Sequence, residues 1–96
     1  MAKAYWTVFY RSVSNPAALA EYAKIAIPVI EAGGGRVLAR GLPTVTFEAG
    51  LKERTVIIEF ESMEKAVGVY KSKAYEAALK ALGNGAERDM RFIEGA

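Results

Sequence analysis

The order of strand-like and helix-like segments is the feature that most constrains what this chain can fold into. Four segments enriched in β-branched and aromatic residues predict strands, at residues 4–13, 36–40, 54–60 and 88–94. Apolar residues at helical spacing predict helices in two intervals, one after the first strand and one after the third. The predicted order of elements is therefore β-α-β-β-α-β.

The first predicted helix has clear start and stop signals. Asn15 can accept a hydrogen bond from a free helical N–H group, and Pro16 suits the first helical position because its φ is fixed and it lacks an N–H. The glycines at 33–35 end the helix, since a positive φ costs little there. Pro28 removes one internal hydrogen bond and crowds the carbonyl of Lys24, so a kink or an early end is expected near Lys24.

The second half of the chain leaves two details open. Residues 44–48 have strand-like composition, which predicts that the second strand continues after a bend or bulge at Gly41. Ser62 and Ser72 are both suitable N-caps, so one long broken helix or two short helices would fit before the last strand. In either case the pattern predicts a ferredoxin-like α+β domain, with a four-stranded antiparallel sheet that carries its helices on one face.

The two faces of this predicted sheet differ in character. Strand alternation assigns a largely apolar set to the face covered by helices: Val8, Tyr10, Val37, Ala39, Val56, Ile58, Phe60, Met90 and Phe92. The opposite, open face mixes apolar and charged side chains: Tyr5, Thr7, Phe9, Arg36, Leu38, Arg40, Ile57, Glu59, Arg91 and Ile93. Such a face is too apolar for water and too charged for a dry core. We therefore expect two copies to pair as a homodimer around a partly polar cavity.

Composition and charge narrow the possible functions. The 96 residues suffice for one domain, residues 1–96, and a hydrophobic content of 52% suggests that a partner covers some apolar surface. The net charge is only +2, without the basic run that a nucleic-acid partner requires. No apolar run approaches the roughly 20 residues of a membrane span, and no signal peptide precedes the first strand, so a cytoplasmic location is expected.

The absence of cysteine and histidine excludes whole classes of site. Without cysteine the chain has no disulfide, no thiolate nucleophile and no Cys-ligated metal centre. Without histidine it has no proximal haem ligand, no His-based metal site and no Ser-His-Asp triad. We therefore expect neither a metal nor a cofactor.

Several sequence features together resemble one known family. They are Tyr5-Trp6 in the first strand, the proline-broken helix leading into residues 33–41, the strand 56–60 followed by Ser62, the stretch 70–75, Arg88-Asp89 and residues 92–95. On these features the chain resembles, over almost its whole length, the "domain of unknown function 1330" family of the dimeric α+β barrel superfamily. The resemblance implies a ferredoxin-like protomer whose sheet meets a second sheet around a pocket. It implies no established activity, because relatives in the wider superfamily include cofactor-free monooxygenases, isomerases, haem-handling proteins and ligand-sensing domains.

Charged side chains on the predicted open face form a candidate site. If the second and third strands pair so that Leu38 opposes Ile57, then Arg36 lies opposite Glu59 and Arg40 lies opposite Thr55. Arg40 could then hold a substrate carboxylate or enolate as an anion clamp, while Glu59, if desolvation raises its pKa, could act as acid/base. Alternatively, Glu59 and an arginine neutralise each other at a dimer interface.

The remaining candidates have simpler alternatives. The predicted ligand-binding residues are Arg40, Arg36, Thr7, Leu38, Ile57 and Tyr22, with Glu59 as the catalytic residue. Three tyrosines lie on apolar helical stripes: Tyr22, Tyr70 and Tyr75. Each could pack in the core with its hydroxyl group at a polar edge, or it could line the mouth of a pocket. Arg88-Asp89 is interpreted as a local ion pair or a dimer contact.

Two functions of different classes fit these observations. One is a cofactor-free enzyme that acts on a carboxylated or enolic small molecule. The other is a non-catalytic module that binds or senses such a molecule. RNA binding, which the same order of elements can support, is disfavoured because the third strand lacks the basic-Gly-aromatic signature of RNA-recognition motifs.

Overall fold

The strands and helices follow the predicted order, with the second helical segment divided in two. The computed structural model describes residues 2–96, so residue 1 of the predicted domain lies outside the described range. The elements are β1 (Ala4–Val13), α1 (Pro16–Ala32), β2 (Arg36–Gly41), β3 (Thr55–Phe60), α2 (Met63–Tyr70), α3 (Lys73–Leu82) and β4 (Ala86–Glu94). The strands form one antiparallel sheet in the order β2-β3-β1-β4. This is a ferredoxin-like α+β domain, as predicted.

Helix α1 begins as the sequence predicts but does not end early. The backbone N–H of Ala18 donates to Asn15 Oδ1 over 3.1 Å, which caps the first turn. The helix then runs through Pro28 to Ala32, so the early end expected near Lys24 is wrong. Tyr22, Ala26 and Ile30 are buried on both sides of the proline. Burial of this stripe holds the helix together despite the missing hydrogen bond, because tertiary packing supplies most helical stability in proteins.

The connection between β2 and β3, residues 42–54, contains no strand, so the predicted continuation at 44–48 is wrong. The segment instead includes a turn in which the Gly50 N–H donates to the Phe47 carbonyl over 3.0 Å. The segment pairs with none of the four strands, although the outer edges of β2 and β4 are free, so its backbone lacks the hydrogen bonds that a strand needs. Strand-like composition reflects packing on a sheet more than a preference of the backbone itself. Phe47 is left 78% exposed.

The core lies between the sheet and the helices, and Trp6 is at its centre. Its ring centroid is 5.1 Å from those of Phe92 and Tyr75, and it also stacks against Phe60. The predicted helix-facing set is confirmed for residues including Val8, Tyr10, Ile58 and Phe60, all buried. Ala39 was assigned to this face as well, but it is exposed.

A bulge in β2 explains the misassignment of Ala39. Arg36 pairs with Glu59, as predicted, but the register shifts by one residue between Val37 and Ala39, so that Ala39 rather than Leu38 opposes Ile57. Leu38 is therefore the extra residue of the bulge. Because successive side chains alternate between faces, every β2 residue after the bulge lies on the face opposite to the one predicted.

Among residues 2–96, no helix is both long enough and apolar enough to cross a bilayer.

Candidate ligand-binding site

The structure divides the predicted site residues between the two faces of the sheet. Four of the predicted residues belong to the open face: Thr7, Ile57, Arg36 and Glu59. Thr7 pairs with Ile57 and Arg36 with Glu59, and paired residues of neighbouring strands lie on the same face. The predicted pairing of Arg40 with Thr55 is wrong: after the bulge Arg40 pairs with Val56, whose own partner is the buried Val8, so Arg40 lies on the helix side. Tyr22 is on the same side, in α1, and Leu38 lies at the bulge on the sheet edge. The predicted anion clamp and acid/base therefore lie on opposite faces of one protomer.

An inner cavity of about 40 Å³ lies between the sheet and α1. Its walls are mostly apolar and come from both layers: Trp6, Val8, Tyr10, Leu19, Tyr22, Ala23, Ala26, Ile27, Ile30, Val37, Arg40, Arg54, Val56 and Ile58. A volume of this size has room for a few water molecules, since one water needs about 10–15 Å³ on this measure.

The inner cavity adjoins an outer groove of about 410 Å³ beside α1. The groove is lined by Ala23, Lys24, Ile27, Pro28, Arg40 and Arg54, four of which also line the cavity. Together the two spaces reach the size of a small-molecule site, roughly 300–1,000 Å³. Arg40, which is exposed, and Arg54, which is half-buried, border both spaces.

These two arginines carry charge that no carboxylate neutralises within the described chain. The ion pairs formed by residues 2–96 involve other cations: Lys3, Lys24, Lys80 and Arg91. Arg54 is held in place through its backbone, because the Tyr10 N–H donates to the Arg54 carbonyl over 2.9 Å. A guanidinium without an acidic partner, beside an apolar cavity, is suited to an anionic group on a ligand.

A polar cluster of phenols and one guanidinium borders the inner cavity. The hydroxyl oxygens of Tyr22 and Tyr75 are 2.6 Å apart, and Arg88 Nη1 donates to Tyr22 Oη over 3.0 Å. The guanidinium carbon of Arg88 also lies 4.9 Å from the ring centroid of Tyr22 and 5.8 Å from that of Tyr10. Stacking on aromatic rings stabilises a partly buried cation without a carboxylate.

Burial fixes the protonation of this cluster near neutral pH. Burial raises the pKa of Tyr75 well above its usual range, and the neighbouring Tyr22 phenol raises it further. Burial also raises the pKa of Tyr10, which the charge of Arg88 partly opposes. Tyr10 and Tyr75 are therefore neutral phenols that can donate a hydrogen bond, while Arg88, like all arginines, stays charged.

Glu59 has partners of its own on the open face. Tyr5 Oη donates to Glu59 Oε2 over 3.1 Å, and Lys3 Nζ lies 3.5 Å from Glu59 Oε1. The side chain is 17% exposed. Arg36 is opposite in register, but no ion pair joins the two in the part of the chain that the structure describes. The hydrogen bond to Glu59 raises the pKa of the Tyr5 phenol.

The rest of the open face combines apolar side chains with one exposed ion pair. Arg91 Nε and Nη2 donate to the two oxygens of Asp89 over 3.0 and 2.9 Å. The interpretation of Arg88-Asp89 as an ion pair is wrong. Neighbouring residues of a strand point to opposite faces, and Asp89 forms its ion pair with Arg91. Thr7 Oγ1 donates to the Arg91 carbonyl over 3.0 Å, so its hydrogen is already engaged.

Two arginines of the cavity region were missing from the predicted site. Strand alternation could have found both, because Arg54 lies two residues from Val56 and Arg88 two residues from Met90. Residues two apart in a strand face the same side of the sheet, here the helix side. Of the predicted tyrosines, Tyr22 and Tyr75 pack in the core with their hydroxyl groups bonded to each other. Within residues 2–96, no group of three acidic side chains is placed to hold a metal ion.

The fold and the site define a ferredoxin-like α+β domain with a small inner cavity between α1 and the sheet and a larger groove beside α1. The chain belongs to the "Domain of unknown function (DUF1330)" family, whose model matches residues 3–96.

Solved structures of similar fold come from several bacteria. The RPA0582 protein of unknown function from Rhodopseudomonas palustris has a TM-score of 0.70 at 23% identity, over 98% of this chain and 81% of that one. A candidate antibiotic biosynthesis monooxygenase from Caulobacter crescentus has a TM-score of 0.59 at 18% identity, covering 99% and 90%. A dimeric ferredoxin-like protein of unknown function from Thermobifida fusca has a TM-score of 0.53 at 13% identity, covering 99% and 91%. None of the curated proteins compared with the chain matches it.

Proposed function

We propose that this protein binds a small apolar molecule with a carboxylate or enolate group, in the cavity and groove beside α1. The observation that carries the proposal is the position of Arg40 and Arg54, which border both spaces and have no ion-pair partner among residues 2–96. The planar guanidinium can form two parallel hydrogen bonds to a carboxylate. Apolar walls with a few polar groups are typical of small-molecule sites.

The division of the predicted site favours binding over catalysis by Glu59. An acid/base must lie within hydrogen-bonding reach of the atom it protonates or deprotonates. Glu59 is on the open face, whereas Arg40 is on the helix side, so one ligand cannot contact both within a protomer. We therefore propose a ligand-binding or sensing module in which Arg40 and Tyr22 contact the ligand. Glu59, Arg36, Thr7, Leu38 and Ile57 are instead proposed to belong to a dimer interface.

The proposed dimer forms through the open face of the sheet. Phe9 and Ile93 are large apolar side chains left exposed there, while Leu38 is exposed at the sheet edge and Phe47 in the loop between β2 and β3. Pairing of two such faces would remove this apolar surface from water. It would leave the groove beside α1 accessible, because the groove lies on the other side of the sheet. The dimeric Thermobifida fusca protein of similar fold is consistent with this proposal.

Calorimetric titration tests the proposed site. A panel of short aliphatic and aromatic carboxylates is titrated beside the corresponding neutral amides, and the acids are expected to bind more tightly. Replacing both arginines, Arg40→Gln with Arg54→Gln, should weaken carboxylate binding at least about tenfold, since hydrogen bonds to charged groups contribute about 1.5–3 kcal/mol each. The matched control, Lys71→Gln with Lys80→Gln, removes the same charge from exposed positions outside the cavity lining.

Three results would overturn the proposal: no binding by any acid of the panel, equal binding of acids and amides, or equal losses in the arginine and lysine variants. Glu59→Gln separates binding from catalysis. We expect this variant to bind the acids as the unaltered protein does. If the unaltered protein consumes a ligand and the variant does not, Glu59 acts as an acid/base after all.

A further inference from the structure

The hydroxyl groups of Tyr22 and Tyr75 hold one more hydrogen than their network can accept. Arg88 has only donors, so its bond to Tyr22 Oη uses that oxygen as an acceptor. The bond between the two phenols uses one of their two hydrogens. No further bond from either hydroxyl is formed within residues 2–96, so the second phenolic hydrogen has no acceptor there.

The surroundings decide which phenol carries the free hydrogen. Tyr75 is 0% exposed, enclosed in the aromatic core, and does not line the inner cavity. Tyr22 is 8% exposed and does line it. A buried O–H without an acceptor is unfavourable, so the lower-energy arrangement has Tyr75 donate to Tyr22 and leaves the free hydrogen on Tyr22, the residue of the pair that lines the cavity. Donation from Arg88 and Tyr75 then polarises the Tyr22 O–H and makes it a stronger donor.

A second donor borders the same cavity. Trp6 is fully buried and lines the cavity, and its Nε1–H has no hydrogen-bond partner among residues 2–96. Unpaired buried donors are rare, and each needs an explanation. Two of the residues that line the cavity, one on β1 and one on α1, thus each have a donor for which the described chain provides no acceptor.

We infer that the ligand has a second oxygen, a carbonyl or an oxyanion, that accepts a hydrogen bond from Tyr22 Oη in the inner cavity. Trp6 Nε1–H is the second donor to the ligand, and Tyr75 and Arg88 are positioning residues. The inference rests on the proposed function and narrows its ligand class. With the carboxylate at Arg40 and Arg54, the ligand is an apolar keto acid or the corresponding enol.

Matched pairs of ligands test this inference directly. Phenylpyruvate and 3-benzoylpropionate place a ketone α or γ to the carboxylate, and 3-phenylpropionate and 4-phenylbutyrate have a methylene in its place. We expect at least one keto acid to bind about fivefold or more tightly than its methylene partner, as one additional hydrogen bond allows. This comparison uses the unaltered protein, so it does not depend on the folding of any variant.

Substitutions then assign the preference to Tyr22. Tyr22→Phe should remove most of the preference for the ketone, because it deletes the main donor to the second oxygen and leaves only Trp6 Nε1–H. Tyr75→Phe should reduce the preference, because Tyr22 loses the donor that polarises it. Tyr70→Phe is the matched control, since Tyr70 belongs to the same aromatic cluster but does not line the cavity, and the preference should persist.

The outcomes separate this inference from the proposed function. Equal binding of every keto acid and its methylene analogue, with binding still dependent on Arg40 and Arg54, overturns the inference and leaves the proposed function standing. A preference that Tyr22→Phe leaves undiminished also overturns it. Failure of all these acids to bind, like failure of the wider carboxylate panel, counts against the proposed function itself.

Discussion

Tyr22 and Tyr75 join α1 to α3 through a 2.6 Å hydrogen bond between their hydroxyl groups, at the point where Arg88 reaches the pair from β4. The bond is enclosed in the core, where Tyr75 is shielded from water by an aromatic cluster around Trp6. This polar contact therefore affects stability and recognition together, and its energetic role can be measured without any ligand.

Removing either phenol should destabilise the fold, and the two losses should not add. Tyr75→Phe loses one buried hydrogen bond, at a cost of about 1 kcal/mol. Tyr22→Phe should cost about 2–3 kcal/mol, because it leaves both the Tyr75 hydroxyl and a nitrogen of Arg88 without a partner. The double variant should be close to Tyr22→Phe alone. Urea unfolding measures all three free energies, and strictly additive losses would show that the two hydroxyl groups are not coupled.

Alkaline pH should destabilise the protein through Tyr75. Its pKa in the folded state lies above the unfolded value of 10.0, mainly because of burial. The unfolded chain therefore releases this proton first, so the stabilising contribution is complete below about pH 10 and is lost as pH rises further. The slope approaches about 1.4 kcal/mol per pH unit for one proton. Urea unfolding from about pH 9 to about pH 11 should show a shallower decline for Tyr75→Phe than for the unaltered protein; parallel curves would contradict this assignment.

Two glycine substitutions should have opposite effects. A Cβ at Gly35 would lie 2.5 Å from Ile30 Cγ2 and 2.7 Å from Phe60 Cζ, so Gly35→Ala should destabilise by about 1–3 kcal/mol through overpacking. A Cβ at Gly68 meets no atom within 4 Å, and this residue is inside α2. Gly68→Ala should stabilise by about 0.5–1 kcal/mol, because alanine is the better helix former. Thermal unfolding checks both, and a stabilised Gly35→Ala protein would disprove the close packing of the α1–β2 turn.

Charge introduced on the open face should dissociate the proposed dimer. Phe9 and Ile93 are exposed in the protomer, so Phe9→Asp with Ile93→Asp should preserve its fold while opposing association of two apolar faces. Sedimentation velocity at micromolar concentration should show a dimer for the unaltered protein and a monomer for this variant. Ala77→Asp introduces a charge on the exposed surface of α3 and should remain dimeric. A monomeric unaltered protein would contradict the proposed interface.

The sequence predicted the order of elements because its signals are local. The cap at Asn15, the terminating glycine at 33 and the caps at Ser62 and Ser72 all act within a few residues, and the structure confirms each one. The pairing of Arg36 with Glu59 was also predicted, since it precedes any irregularity in β2. Apart from this cross-strand pairing, the signals that were read correctly depend on residues a few positions apart in the sequence.

The features that were not predicted depend on non-local pairing. No residue of β2 marks Leu38 as the bulge, because a bulge is defined by the strand opposite, and the position of Arg40 depends on it. Residues 44–48 have a strand-like composition, but they pair with no strand of the sheet. The network of Tyr22, Tyr75 and Arg88 joins residues far apart in sequence, so spacing along the chain does not reveal it.

The extra residue at Leu38 distributes positive charge between the inside and the outside of the protomer. In a regular strand Arg36 and Arg40 would lie on the same face, whereas here one faces outward from the sheet and the other borders the cavity. Deleting Leu38 would carry Arg40 through the plane of the sheet, so the ligand site would lose a cation and the proposed interface would gain one. A one-residue change of length in an edge strand, elsewhere a minor variation, would here alter recognition and assembly in a single step.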